Sequence, residues 1–201
     1  MYKAVGSRGS RVSRVLWMLE ELAQPYEFVE VKLRSPEAYA LNPSGKVPVL
    51  IDGELKITDS AAICVYLADK HADKGMGASP GLAGRAEIDS WMHFALSELE
   101  APLWNKLRHR FLLPKEVRVD VGPAAAHDFA SEVKALDRRL GDKPFALGGR
   151  FSAVDVLLGD IGGWARSGRF PIDSDRVNAY FDRVLQRPAR ARAQANGGAF
   201  K

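Results

Sequence analysis

The sequence predicts two domains of different class, an α/β domain over residues 1–77 and an all-helical domain over 83–201. Three observations carry that expectation. Short β-compatible runs and amphipathic stretches alternate through the first seventy residues in the order β-α-β, then β-β-α. The stretch Lys74-Gly75-Met76-Gly77-Ala78-Ser79-Pro80-Gly81 holds three glycines and a proline, the composition of a linker. Beyond it, the apolar residues recur at helical spacing.

Tyr2 to Val5 reads as a strand that ends at Gly6. The loop Gly6-Ser7-Arg8-Gly9-Ser10 follows, with Ser10 a natural N-cap for a helix running to about Ala23. Val12, Val15, Leu16, Leu19 and Leu22 fall on one face of that helix. Pro25 closes it, and Tyr26 to Val31 reads as a second strand. A β-α-β unit this short requires a parallel pair with a right-handed crossover. Residues 32–45 are polar, with Pro36 and Pro43, and read as an irregular connection holding a short helix. Val49-Leu50-Ile51 and Leu55-Lys56-Ile57-Thr58 then form a hairpin about Asp52-Gly53, the dipeptide that tight turns prefer. Asp59 and Ser60 are both good N-caps for the helix carrying Ile63, Tyr66 and Leu67. The resulting order is that of a thioredoxin-like domain.

In the second half, Ile88, Met92, Ala95, Leu96, Leu99 and Leu103 form one stripe, and Pro102 should kink the helix that carries it. Phe129, Val133, Leu136 and Leu140 continue a helix beginning near Pro123. Ser152-x-x-Asp155 is a capping-box pattern with Asp in place of Glu. A last helix covers about Asp175 to Gln186.

Composition narrows the function classes. An apolar fraction of 46% and a charged fraction of 27% are those of an ordinary globular protein. No apolar run is long enough to span a bilayer, the N-terminus has no secretory h-region, and the single cysteine, Cys64, forms no internal disulfide. A cytoplasmic protein with no membrane partner is the expectation. The first 77 residues carry ten basic and ten acidic side chains, so the net charge of +4 lies wholly beyond them. Those later charges interleave with acidic ones, as on a solvated helical surface, and no nucleic-acid partner is expected. His71, His93, His109 and His127 show no ligand spacing, and no metal site is expected. Cys64, between Ile63 and Val65, reads as a small core residue.

The stretch Asn42 to Ser60 carries the binding signal. Val47-Pro48 sits at the mouth of a strand, where an X-Pro bond is free to be cis and an extended peptide finds unpaired backbone. The helix start at Asp59-Ser60 offers free N–H groups that suit a carboxylate. This stretch closely resembles the glutathione-binding half of the soluble glutathione transferases. Arg14-Val15-Leu16-Trp17-Met18-Leu19-Glu20-Glu21-Leu22 in the first helix and Phe151-Ser152-Ala153-Val154-Asp155 in the second half also match that family, so the likeness runs over nearly the whole chain.

The resemblance implies a cis Val47–Pro48 bond whose Val47 backbone pairs with the cysteinyl unit of glutathione. It implies that Asp59 and Ser60 hold the γ-glutamyl end, with Asp59 one methylene shorter than the Glu that many members carry. Lys46 is expected at the glycyl carboxylate, with Lys32 and Arg34 as weaker candidates. The catalytic hydroxyl falls on Ser10, with Ser7 as second choice. A donor at the helix start would stabilise the thiolate, and Arg11 could add to it. Equally, Ser10 could be an N-cap alone. Trp104, Arg108 and Phe111 are expected to line the second-substrate pocket. The implied activity is transfer of the glutathione thiolate, as co-substrate, to small hydrophobic electrophiles by a detoxifying homodimer. Disulfide or peroxide reduction with glutathione, and a non-catalytic binding role, are the alternatives.

Overall fold

The computed structural model describes residues 1–198, which fall into two compact units. The first unit joins residues 1–77 to the segment from Gln186 onward, and the second covers Ala78–Leu185. Residues 186–198, expected within the helical half, thus belong with the α/β half.

Four strands build the sheet of the first unit: β1 (Tyr2–Gly6), β2 (Tyr26–Glu30), β3 (Val49–Asp52) and β4 (Leu55–Thr58). Their order is β2-β1-β3-β4. β1 and β2 are parallel, whereas β3 runs antiparallel to both β1 and β4. The mixed sheet is thioredoxin-like. Its parallel pair is joined by α1 (Val12–Glu21), and β2 leads to β3 through the short helix α2 (Pro36–Leu41). The hairpin turns on Gly53-Glu54 rather than Asp52-Gly53, since Asp52 still pairs with Leu55. Gly53 takes φ +61°, and Glu54 is not among the residues at positive φ, the pattern of a type II′ turn. Asp52 is engaged instead as acceptor for the Tyr66 hydroxyl at 2.7 Å and for Lys70, on α3 (Ser60–Lys70).

The core of this unit comes from the face of α1 read in the sequence. Val12, Val15, Leu16, Met18, Leu19 and Leu22 are all fully buried, against Ala4, Val5, Leu50, Ile63 and Leu67. Cys64 is buried among them. After Gln186 the chain forms α9 (Pro188–Ala193) and runs on as far as Gly198, packed on α1.

The second unit is wholly helical: α4 (Leu82–His93), α5 (Ala101–Leu107), α6 (Gly122–Leu140), α7 (Ala153–Ser167) and α8 (Asp175–Leu185), with π-type turns at Phe94–Leu99 and Arg108–Leu112. The interruption before α5 falls at Glu100, and Pro102 sits in the first turn of the new helix, where its missing N–H costs nothing. At the start of α7, Asp155 accepts from the Ser152 amide at 2.8 Å, the Ser152 hydroxyl at 2.7 Å, the Ala146 amide at 2.9 Å and the Tyr180 hydroxyl at 2.8 Å. Burial pushes its carboxyl above the usual range, against the pull of those donors.

Candidate functional site

Sheet register gathers the sequence-predicted residues of the first unit at one end. Val5 pairs with Val49, so the end of β1 lies beside the start of β3. Val49 also pairs with Thr58, so the end of β4 lies there too. Besides the connection after β2, three segments meet the sheet at this end: the loop after Gly6, residues 46–48 ahead of β3, and Asp59-Ser60 after β4. The first carries Ser7 and Ser10, the second Lys46, Val47 and Pro48.

Each segment has a local cause. The Val47–Pro48 bond is cis. The loop ahead of it is shaped by Asn42, whose side-chain oxygen accepts from the Ser44 amide at 3.0 Å and the Ser44 hydroxyl at 2.9 Å, while its amide donates to the Lys46 carbonyl at 3.0 Å. Gly45 takes φ +63°, and a Cβ there would lie 2.7 Å from the Tyr39 ring, so only glycine fits. The Lys46 side chain stands exposed, with no ion pair or hydrogen bond to another described residue.

Asp59 is the N-cap of α3. Its side chain accepts from the Ala61 amide at 2.9 Å, and its backbone sits at φ 72°, ψ 129°. That region is sparsely populated for a residue with a Cβ, at a cost of order 1–3 kcal/mol, and such strain clusters at sites that use it. One carboxylate oxygen caps the helix, and the side chain remains exposed. Ser60 is 1% exposed, and its hydroxyl accepts from the Arg14 guanidinium at 3.3 Å. Its own proton remains available to donate.

Arg14 is the residue that sequence reasoning missed. In the sequence it is only the first member of the helix motif, yet it is fully buried and ties α1 to the start of α3. An arginine inside an apolar helical stripe is the signal, because a buried guanidinium requires partners.

Ser10 lies one residue earlier than the N-cap position expected for it. The backbone cap of α1 is Arg11, at φ −61°, ψ 0°, with no side-chain cap of its own. The Ser10 hydroxyl still takes one helix amide, that of Val12, at 3.3 Å, and the Ser10 carbonyl accepts from the Ser13 amide at 3.1 Å. Ser7 contributes its carbonyl to the Ser10 amide at 3.1 Å. Both serines are half-buried. Together the two helix starts and the cis-proline strand offer N–H donors, two serine hydroxyls, an exposed carboxylate and an exposed ammonium. That set suits a zwitterionic peptide with terminal carboxylates.

Trp104, Arg108 and Phe111 lie on α5 and the turn after it, in the second unit. Trp104 is half-buried, Arg108 is exposed, and Phe111 is 63% exposed. Lys32 and Arg34 are exposed on the connection after β2. A cleft of about 380 Å³, lined by Glu20, Gln24, Pro25, Tyr26, Phe28 and Asn196, opens at the far end of α1 from Ser10 and holds none of the candidate residues. Among the described residues, no three His, Cys, Asp or Glu side chains group as a metal site would need, and no helix is long and apolar enough to cross a membrane.

The four-stranded mixed sheet, with a cis-proline strand and two helix starts at one end, is that of a thioredoxin-like domain. Residues 5–75 match the family model "Glutathione S-transferase, N-terminal domain". Glutathione S-transferase F10 of Arabidopsis thaliana is 35% identical over 88% of both chains. A glutathione S-transferase from Xylella fastidiosa superposes with a TM-score of 0.86 at 26% identity, covering 99% of this chain and 100% of that one. A sphingomonad glutathione S-transferase complexed with glutathione superposes at 0.81 with 29% identity, covering 98% and 100%. The chain belongs to the glutathione S-transferase family.

Proposed function

We propose that this chain binds glutathione at the shared end of its sheet and transfers the thiolate to small hydrophobic electrophiles. The observation that carries the proposal is the convergence there of Ser10, Val47–Pro48 and Asp59-Ser60. The Val47 backbone would pair with the cysteinyl unit. Asp59 would meet the γ-glutamyl ammonium, Ser60 its carboxylate, and Lys46 the glycyl carboxylate. Ser10, at the positive end of α1, would donate to the sulfur and favour the thiolate, the nucleophilic form. The Arg14–Ser60 bond holds the two helix starts in register for that purpose.

With a nitro-activated aryl chloride as electrophile, the thiolate attacks the ring carbon. A carbon–sulfur bond forms, the carbon–chlorine bond breaks, chloride leaves with the electron pair, and the thiol proton passes to solvent. The test is turnover of that chloride with glutathione, alongside calorimetric titration of glutathione. Binding without turnover, on this and on peroxide or mixed-disulfide substrates, would assign a binding role and sink the enzyme reading. Asp59→Ala should weaken glutathione affinity about tenfold or more, since a charge-assisted contact is worth about 1.5–3 kcal/mol, and should lower stability only by the lost cap on the Ala61 amide, about 0.5–2 kcal/mol. The reading carries with it a second-substrate role for Trp104, Arg108 and Phe111 and a cytoplasmic, detoxifying homodimer, the latter checked by light scattering.

A further inference from the structure

We propose that residues 186–198 act as a strap that positions the β1–α1 loop, and with it Ser10, for thiol activation; this rests on the glutathione reading above. The strap grips the C-terminal end of α1 through two adjacent carboxylates. The Arg187 guanidinium forks onto Glu21, Nε to Oε1 at 2.6 Å and Nη2 to Oε2 at 2.7 Å, and the Glu21 side chain is only 7% exposed. The Trp17 indole donates to the same Glu21 Oε1 at 2.9 Å, with Arg190 over the Trp17 ring. Arg192 Nε donates to Glu20 Oε2 at 2.7 Å. The Asn196 amide reaches both Glu20 and the Tyr26 hydroxyl, each at 3.1 Å. A bidentate guanidinium–carboxylate pair fixes direction as well as distance.

The strap also touches the loop's own support. Gly197 packs against Phe28 so closely that a Cβ would lie 2.6 Å from two carbons of the ring, and its φ of +129° is one that only glycine adopts readily. Phe28 is also met by the Arg8 guanidinium, 5.5 Å from the ring centroid and tied to Glu30 at 3.3 Å. A Cβ on Gly197 would also lie 3.4 Å from Arg8. Arg8 stands in the β1–α1 loop two residues before Ser10. The strap therefore holds α1 at one end and the loop at the other, and Arg187 and Gly197 are positioning residues that need touch neither glutathione nor electrophile.

The experiment compares the full-length wild type with Arg187→Gln, Arg187→Lys, Gly197→Val and, as a control in the other unit, Arg166→Gln, which breaks the Arg166–Asp182 pair. Amide hydrogen exchange is followed well below the thermal midpoint, with the pH titration of thiolate absorbance in the glutathione complex. The expected result is that Arg187→Gln and Gly197→Val lose about tenfold or more of the protection at residues 7–12, and that the bound thiol titrates at higher pH. Arg187→Lys, which keeps the charge without the fork, should fall between them and wild type. Arg166→Gln should change neither readout, whatever it does to the melting temperature. Should Arg187→Gln fail to fold, the Lys and Val variants carry the comparison. Faster exchange in 186–198 with 7–12 and the thiol titration unchanged would overturn the proposal. A wild type that binds no glutathione would overturn the activation claim together with the reading beneath it, whereas the exchange data would still decide whether the strap holds the loop.

Discussion

The Ser10 hydroxyl accepts the Val12 amide proton at 3.3 Å, which leaves its own proton to give. Capping and thiol activation are thus compatible on one oxygen. Ser10→Ala should raise the pKa of bound glutathione and slow turnover at neutral pH with affinity little changed, a tenfold change in the thiol's acidity being worth ~1.4 kcal/mol. Ser7→Ala should do much less, because Ser7 enters the loop's hydrogen bonding through its carbonyl. Thiolate absorbance against pH for both mutants checks this; a change with Ser7 alone would exchange their roles. Arg14 marks the limit of sequence reading at this scale. A side chain's type shows that it requires a partner when buried, but Ser60 lies 46 positions along the chain, and only the packing of α1 against α3 brings the two together.

At the scale of elements, strands and helices are largely legible, because periods of two and 3.6 and the turn residues between them all act locally. Some differences are one-residue matters of cap and turn, Arg11 for Ser10 and Gly53-Glu54 for Asp52-Gly53, whereas the stripe over 88–103 is divided between α4 and α5 and α9 follows the helix expected to be the last. The start of α7 is legible as a box, but not its second ring of donors. The capping pattern alone suggests a loss of about 0.5–2 kcal/mol for Asp155→Ala. Because the Ala146 amide and the Tyr180 hydroxyl would also lose their acceptor inside the core, the expected loss is larger, about 3–4 kcal/mol. Chemical denaturation measures it, and a loss under about 1 kcal/mol would mean that water replaces the carboxylate. On β2, burial pushes the Tyr26 hydroxyl up to about 12, with Asn196 pulling down and Glu20 adding to the rise. A raised folded pKa gives stability that is full below the unfolded value near 10 and is lost as pH rises through the folded one. Melting temperature should therefore fall between pH 10 and 12, and Tyr26→Phe should flatten that fall. Glu20 works in the opposite direction. Burial raises its carboxyl, but hydrogen bonds from Arg192, Tyr26 and Asn196 outweigh this and hold it below the usual range. Its contribution is present above the ordinary carboxyl pKa and fades as the solution is acidified.

Across the whole molecule, the division near Gly77 is visible as a change of composition, whereas the return of the last segment to the first unit is not. Arg187, Arg190 and Arg192 look from the sequence like solvated charges on a helix end. Their carboxylate and aromatic partners, Glu21, Trp17 and Glu20, lie more than 160 residues away. The first unit is therefore discontinuous in sequence, with residues 78–185 inserted between its two parts. That bears on how the protein is made. A ribosome delivers the whole sheet, α1 and α3 before residues 78–185, and only after those the segment from Gln186 that covers Trp17 and neutralises Glu20 and Glu21. Domains generally complete themselves in order of synthesis. Here the second unit, Ala78–Leu185, can close first, while the earlier-made one waits with its helix partly bare. Nascent chains arrested after Leu185 and released from the tunnel should be cut by protease within residues 1–77 while 78–185 survives, and extension through Gly198 should abolish the difference.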